Sequence, residues 1–97
     1  MRYGIVLAPE AVEDIHRLKA YLRALVRDAI ETHLRHTPKK KSKSRVKRLH
    51  GVRRPQYRLS VDELRIFYDV TEGNVEILAI VPKSQAAAWL AQMGEPT

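Results

Sequence analysis

Two arginines, Arg58 and Arg65, flank the dipeptide Asp62-Glu63 inside a segment where apolar and polar residues alternate. If Asp62-Glu63 is a two-residue hairpin loop, Val61 faces Leu64, Ser60 faces Arg65, Leu59 faces Ile66, Arg58 faces Phe67 and Tyr57 faces Tyr68. Parity then puts Tyr57, Leu59, Val61, Ile66 and Tyr68 on one face, expected to be the covered one, and Arg58, Ser60, Arg65 and Phe67 on the other. Arg58 and Arg65 become diagonal neighbours, about 7 to 8 Å apart at their backbones, within reach of one phosphate. Two guanidiniums beside an aromatic face would bind a phosphate and stack a base. An arginine on an open strand face is equally often ordinary surface, and the pattern alone leaves both readings standing.

The charge distribution points to a polyanion. The 97 residues carry +7, from 18 Lys plus Arg against 11 Asp plus Glu. Residues 32 to 61 hold eleven basic side chains and no acidic one, and the remainder carries 7 basic against 11 acidic, a net −4. Lys39, Lys40, Lys41, Lys43, Arg45, Lys47, Arg48, Arg53 and Arg54 are therefore candidates for gripping a nucleic-acid backbone. The competing reading is a solvated basic loop, and the concentration of like charge favours nucleic acid.

Other chemistries are limited by composition. With no cysteine there is no disulfide, thiolate metal site or cysteine nucleophile, which fits a reducing cytoplasm. No apolar run reaches the roughly 18 residues of a membrane span and no signal-peptide core follows Met1-Arg2, so a cytoplasmic protein is expected. His33 and His36 lie three apart, but no third ligand is evident, so no metal is expected and a helix-dipole role is preferred. Glu13, Asp14, Asp28 and Glu31 read as solvated helix faces, and there is no Gly-rich phosphate loop or serine nucleophile motif. No cofactor is implied.

The elements that must position these residues form an α+β domain spanning residues 1–97. Arg2 to Leu7 is rich in strand formers, and Pro9 followed by Glu10, Glu13 and Asp14 suits a helix start. Val12, Ile15, Leu18, Leu22, Leu25, Val26, Ala29, Ile30 and Leu34 keep one face apolar to about His36, as one helix or as a pair bent near Lys19 to Tyr21. Thr37-Pro38 ends it, and the first half of residues 38 to 55 is expected to be mobile. The hairpin follows, then a turn at Thr71 to Asn74, then the almost continuously apolar Val75 to Val81, expected as a strand covered on both faces. Pro82 closes it, and Ser84 is expected to cap a short last helix, Gln85 to Gln92. Strands grouped at the end make a three-stranded antiparallel meander that completes one sheet with the N-terminal strand.

The order of helix pair, basic loop, Leu49-His50-Gly51, Tyr57-Arg58-Leu59 and Leu64-Arg65-Ile66-Phe67-Tyr68-Asp69-Val70 resembles the RelE/ParE toxin superfamily over almost the whole chain. The resemblance implies a RelE-like fold and one of two activities. The RelE branch cuts messenger RNA in the ribosomal A site without a metal, by attack of a ribose 2′-hydroxyl on the adjacent phosphodiester; the ParE branch poisons DNA gyrase. For the RelE branch, preferred here, the matched positions imply that Arg58 and Arg65 stabilise the scissile phosphate. The pattern departs at Ser60, where a second basic residue is expected, and after the last strand, where an arginine and then a tyrosine are expected. There Lys83 would supply the arginine's charge and Trp89 the tyrosine's stacking surface, although an indole is no general acid. His50 is a candidate for proton transfer because an ordinary histidine titrates nearest neutrality, although a lone histidine beside a glycine turn is more often structural. The resemblance also implies an antitoxin, expected to be acidic and encoded next door, with the ribosome and messenger RNA as further partners. A gyrase inhibitor and a catalytically degenerate nucleic-acid or ribosome binder are the alternatives.

Overall fold

A computed structural model describes residues 1–97. Strand β1 (Gly4–Leu7) leads into helices α1 (Pro9–Arg17) and α2 (Ala20–His33). Short strands β2 (Val46–Arg48) and β3 (Val52–Arg54) precede the meander β4 (Tyr57–Val61), β5 (Leu64–Thr71) and β6 (Asn74–Pro82). A 3-10 turn (Lys83–Gln85), helix α3 (Ala86–Met93) and the two-residue strand β7 (Glu95–Pro96) finish the chain. The five-stranded sheet has the order β1-β6-β5-β4-β2, with β1 parallel to β6 and every other pair antiparallel, and β3 pairs separately with β7.

The hairpin adopts the register expected from its loop, Tyr57 opposite Tyr68 through Val61 opposite Leu64. Asp62 takes the one positive φ of a non-glycine residue, 52°, which an aspartate tolerates better than most and which a two-residue loop demands. Its parity holds throughout. Tyr57, Leu59, Val61, Ile66 and Tyr68 join Ala11, Val26, Ile30, Leu34, Val75 and Ile77 in the main core beneath the helices. Phe67, Ala79 and Val81 face the other way, under Leu49, Ala86, Trp89 and Leu90, so β6 is covered on both faces as its apolar run requires. Trp89 stacks on the fully buried Phe67, ring centroids 4.7 Å apart and planes within 7°.

The helical stretch is a pair. Leu18 and Lys19 are extended (ψ 148° and 154°) with no Gly or Pro to force it. Side chains hold the break: the Arg23 guanidinium, five residues on, donates to the Leu18 carbonyl, and Asp14 ties α1 to the sheet by accepting the amide of Ile80 at 2.9 Å. Asp14 is thus a pin between α1 and the sheet and not a solvated carboxylate, and α2 stops at His33, three residues before the end its periodicity suggests.

Three further features depart from expectation. The basic segment contains two strands, β2 and β3, and the stretch before them is tied down: buried Pro38 offers its carbonyl to the Tyr68 hydroxyl at 2.7 Å, and Ser42 Oγ accepts the amides of Arg45 and Val46, both at 3.1 Å. Ser84 caps nothing, because the 3-10 turn carries it past Pro82 and α3 starts at Ala86 with no side-chain cap. The C-terminus folds back as β7, a return that Gly94 permits, since a Cβ there would lie 2.6 Å from the Leu90 carbonyl oxygen.

Candidate functional site

The open face of β4 and β5 is where the cations collect. Arg58 and Arg65 lie on it with Ser60, as hairpin parity requires, and both are half-buried. The Arg58 Nε is buried without a hydrogen-bond partner. Burial, and then the charge of Arg65, press the Arg58 guanidinium below the ordinary arginine range, a direction that reports desolvation and like-charge crowding together. Neither arginine has a carboxylate within ion-pair distance, although Arg17, Arg35, Arg53 and Arg54 all do. A buried, unpaired donor crowded by a second cation costs folding energy, a burden that marks a position as a candidate functional site.

The pairing of β2 with β4 adds a third cation. Lys47 is directly opposite Arg58, and residues directly opposite share a face. Lys47 is thus beside Arg58, a second basic side chain on the face where Ser60 carries no charge. His50 is exposed in the turn after β2 and lines a groove with Lys41 and Lys47. The stacked pair Phe67 and Trp89 borders this face, Phe67 being opposite Arg58.

The long cation run does not act as one patch. Lys39, Lys40, Lys41 and Lys43 are exposed and free of carboxylates on the tethered turn before β2. Arg45 donates to His33 Nε2 at 2.8 Å, and burial, followed by the charge of Arg45, holds the His33 imidazole below its usual range. Arg48 lies 5.2 Å over the Tyr57 ring and donates to the Gln56 carbonyl at 2.7 Å, on the helix side of the sheet. Arg53 pairs with Glu95 at 2.7 Å; Arg54 pairs with Asp69 at 2.8 Å and also with Glu76. These last two are neutralised at the far end of the hairpin, where they hold β3, β7 and the buried Asp69 together.

Lys83 is exposed past the end of β6, its amide donating to the Glu63 carbonyl at 2.7 Å, so it stands beside the hairpin turn. Arg65 is oriented the same way, its Nη1 donating to the carbonyls of Asp62 (3.0 Å) and Leu64 (2.8 Å). His33 and His36 have separate partners, Arg45 and the Met1 carbonyl, and no three ligating side chains converge as a metal site.

Residues 5–87 match the profile of the ParE toxin of type II toxin–antitoxin systems, parDE. The chain belongs to the RelE/ParE toxin family. It is a toxin of a type II toxin–antitoxin system. Solved structures share its α+β fold. A chain of the RelB–RelE antitoxin–toxin complex from Methanococcus jannaschii superposes with a TM-score of 0.66 at 17% identity, over 87% of this chain and 96% of that one. The RelBE2 toxin–antitoxin complex from Mycobacterium tuberculosis gives 0.66 at 20%, over 84% and 99%, and the archaeal RelE–RelB complex from Pyrococcus horikoshii 0.65 at 22%, over 88% and 99%. No curated protein matches the sequence. No helix of the toxin is long and apolar enough to cross a membrane.

Two site residues of this toxin escape the motif. In the sequence Lys47 is one cation among nine, and only pairing with β4 moves it beside Arg58; its alternation with Val46, the one buried residue of β2, is the signal that points to it. His33 reads as a helix-end residue, and its contact with Arg45 needs the loop to fold back on α2.

Proposed function

We propose that this toxin inhibits translation as a metal-independent endoribonuclease that cuts messenger RNA on the ribosome in the cytoplasm, with residues 1–97 acting as one domain. The observation that carries the reading is the half-buried Arg58, its Nε buried without a hydrogen-bond partner, crowded by Arg65 and paired across strands with Lys47, with no carboxylate on any of the three. A ribose 2′-hydroxyl attacks the adjacent phosphorus, the P–O5′ bond breaks, and a 2′,3′-cyclic phosphate and a 5′-hydroxyl result. Arg58 and Arg65 neutralise the charge that builds on the non-bridging oxygens, where such donors contribute most. His50, beside Lys47, is assigned the proton transfer, and Lys83 the flanking backbone. Trp89 offers an indole face for stacking, with its other face on Phe67. Lys39, Lys40, Lys41 and Lys43 grip the ribosomal or messenger RNA backbone, while Arg48, Arg53 and Arg54 mainly hold the fold.

A cognate antitoxin, as in the RelB-bound neighbours, is the expected partner, and acidic side chains on it would suit the unpaired cations. The experiment adds the toxin to translating ribosomes and maps message ends. Cuts that vanish with Arg58→Ala support the reading; intact message, in cells and in the reaction, sinks it. Two observations favour a second reading, inhibition of DNA gyrase: the matched profile is that of ParE, and Ser84 and Leu90 stand where a basic residue and a proton-donating tyrosine are expected. Accumulated gyrase-cleaved DNA beside intact message would decide for it.

A further inference from the structure

The basic loop folds back onto α2 and closes a cleft that the open sheet face does not include. The cleft holds about 490 Å³, a volume within the range of ligand sites, between α2, Ser44 and Arg45, and the tip of the hairpin. Its polar walls are His33 and Thr32 from α2, Arg45 and Ser44 from the loop, and Ser60 and Arg65 from the hairpin. Asp28 and Asp62 also line it, both exposed and neither within ion-pair distance of a guanidinium.

Three of these groups have unusual partners. Arg45 donates to His33 Nε2 at 2.8 Å, so the imidazole is neutral with its proton on Nδ1, and a permanent cation is parked on a group able to become a second one. Arg65 is held by the carbonyls of Asp62 and Leu64 at the hairpin turn, where it lines the cleft. Cleft and open face meet at β4: Ser60, paired with Arg65 across the hairpin, donates its amide to the Arg45 carbonyl at 2.8 Å. Arg45 and Arg65 thus line one cleft, Arg58 lies on the adjoining sheet face, and none of the three has a carboxylate partner.

We propose that this cleft is a second phosphodiester subsite, in which Arg45, Arg65 and His33 hold a backbone phosphate of the bound RNA next to the one held by Arg58. It rests on the reading of the chain as an RNA-cutting toxin only for the identity of the anion. When the phosphate arrives, Arg45 turns from the imidazole to the anion, the freed Nε2 takes up a proton, and His33 becomes the second donor. Binding is therefore coupled to proton uptake and tightens as pH falls. The other charged groups lining the clefts around His33 are Asp28 from its own helix, Lys40 and Arg45 from the loop, and Asp62 and Arg65 from the hairpin; His33 is the one imidazole among them, and the pH response is assigned to it.

The test titrates the full chain with a six-nucleotide, fully 2′-O-methylated RNA, which binds but has no nucleophile to be cut, while the His33 ring resonances are followed by NMR. The proposal expects the His33 titration to move to higher pH when the oligonucleotide binds, affinity to rise between about pH 8 and about pH 6, and Arg45→Ala to lower it about tenfold, the loss of one charge-assisted hydrogen bond. His33→Gln keeps an acceptor for Arg45 but cannot gain a proton, so it binds like the parent at high pH and is flat with pH. An unmoved His33 titration in the presence of bound oligonucleotide, or an H33Q variant with the parental pH dependence, overturns the subsite. Inorganic phosphate alone binding there as tightly as the oligonucleotide also overturns it, because the site would then be one for a free anion. Message left uncut beside a shifted His33 titration overturns the nuclease and not the subsite.

Discussion

Lys47 on β2 stands directly opposite Arg58 on β4, so two cations eleven positions apart in sequence face one another across a strand pair with no carboxylate between them. Like charges placed this way repel, and the arrangement lowers stability unless something negative fills the space. That requirement leads to the first expected outcome.

Arg58→Ala should abolish message cleavage, by about 10²–10³-fold for the loss of one preorganised charge donor, while leaving the melting temperature equal or higher. The variant removes a desolvated group with an unbonded Nε, so the fold loses a burden and the reaction loses a stabiliser. Primer-extension mapping beside thermal denaturation checks both halves, and a strongly destabilised variant that still cuts would contradict them.

Replacing Lys39, Lys40, Lys41 and Lys43 with alanine should weaken RNA binding evenly across sequences. These side chains are exposed and unpaired, so each one that touches a phosphate releases counterions. The slope of log affinity against log salt on single-stranded RNA should shrink by about 0.7 for every phosphate that is no longer neutralised. Binding isotherms at several salt concentrations measure the slope, and an unchanged slope would place the grip elsewhere.

Arg54→Ala should cost stability, about 1–3 kcal/mol, below the full range for a buried pair because Arg54 itself is 45% exposed. Asp69 is 7% exposed, accepts the Gln56 amide at 2.7 Å, and would be left buried beside Glu76 without its cation. Burial already pushes the Asp69 carboxyl above the usual aspartate range, against the pull of the Gln56 amide and Arg54. In the variant the loss should therefore be larger at neutral pH than in acid, where protonation removes the unpaired charge, and denaturant melts at both pH values show it.

The free toxin should lose stability on mild acidification. His33 titrates lower in the fold than in the unfolded chain, so near and below the ordinary histidine value of 6.5 the unfolded chain holds more protons. The stabilising contribution is present above that value and fades as pH falls through it toward the folded value. Melts of the parent and His33→Gln across this window should converge at low pH if the contribution is His33's own; parallel curves would assign it elsewhere.

The hairpin is legible in the chain because a period of two and a two-residue loop leave one register, so Arg58, Ser60, Arg65 and Phe67 have to share a face. The apolar run of β6 announces a strand covered on both sides for the same local reason. The concentration of charge in residues 32 to 61 is equally plain, but charge by itself carries no partner. Only folding sorts those cations: carboxylates from β5, β6 and β7 neutralise Arg53 and Arg54, an aromatic ring on β4 takes Arg48, a helix receives Arg45, and strand pairing delivers Lys47 to Arg58. The role of Asp14 and the returning β7 belong to the same class, since each depends on a group outside its own stretch of chain. Periodicity and loop length act within a few residues and are written in the chain; the partner of a long charged side chain is chosen by whatever the sheet and helices bring within a few ångströms of it.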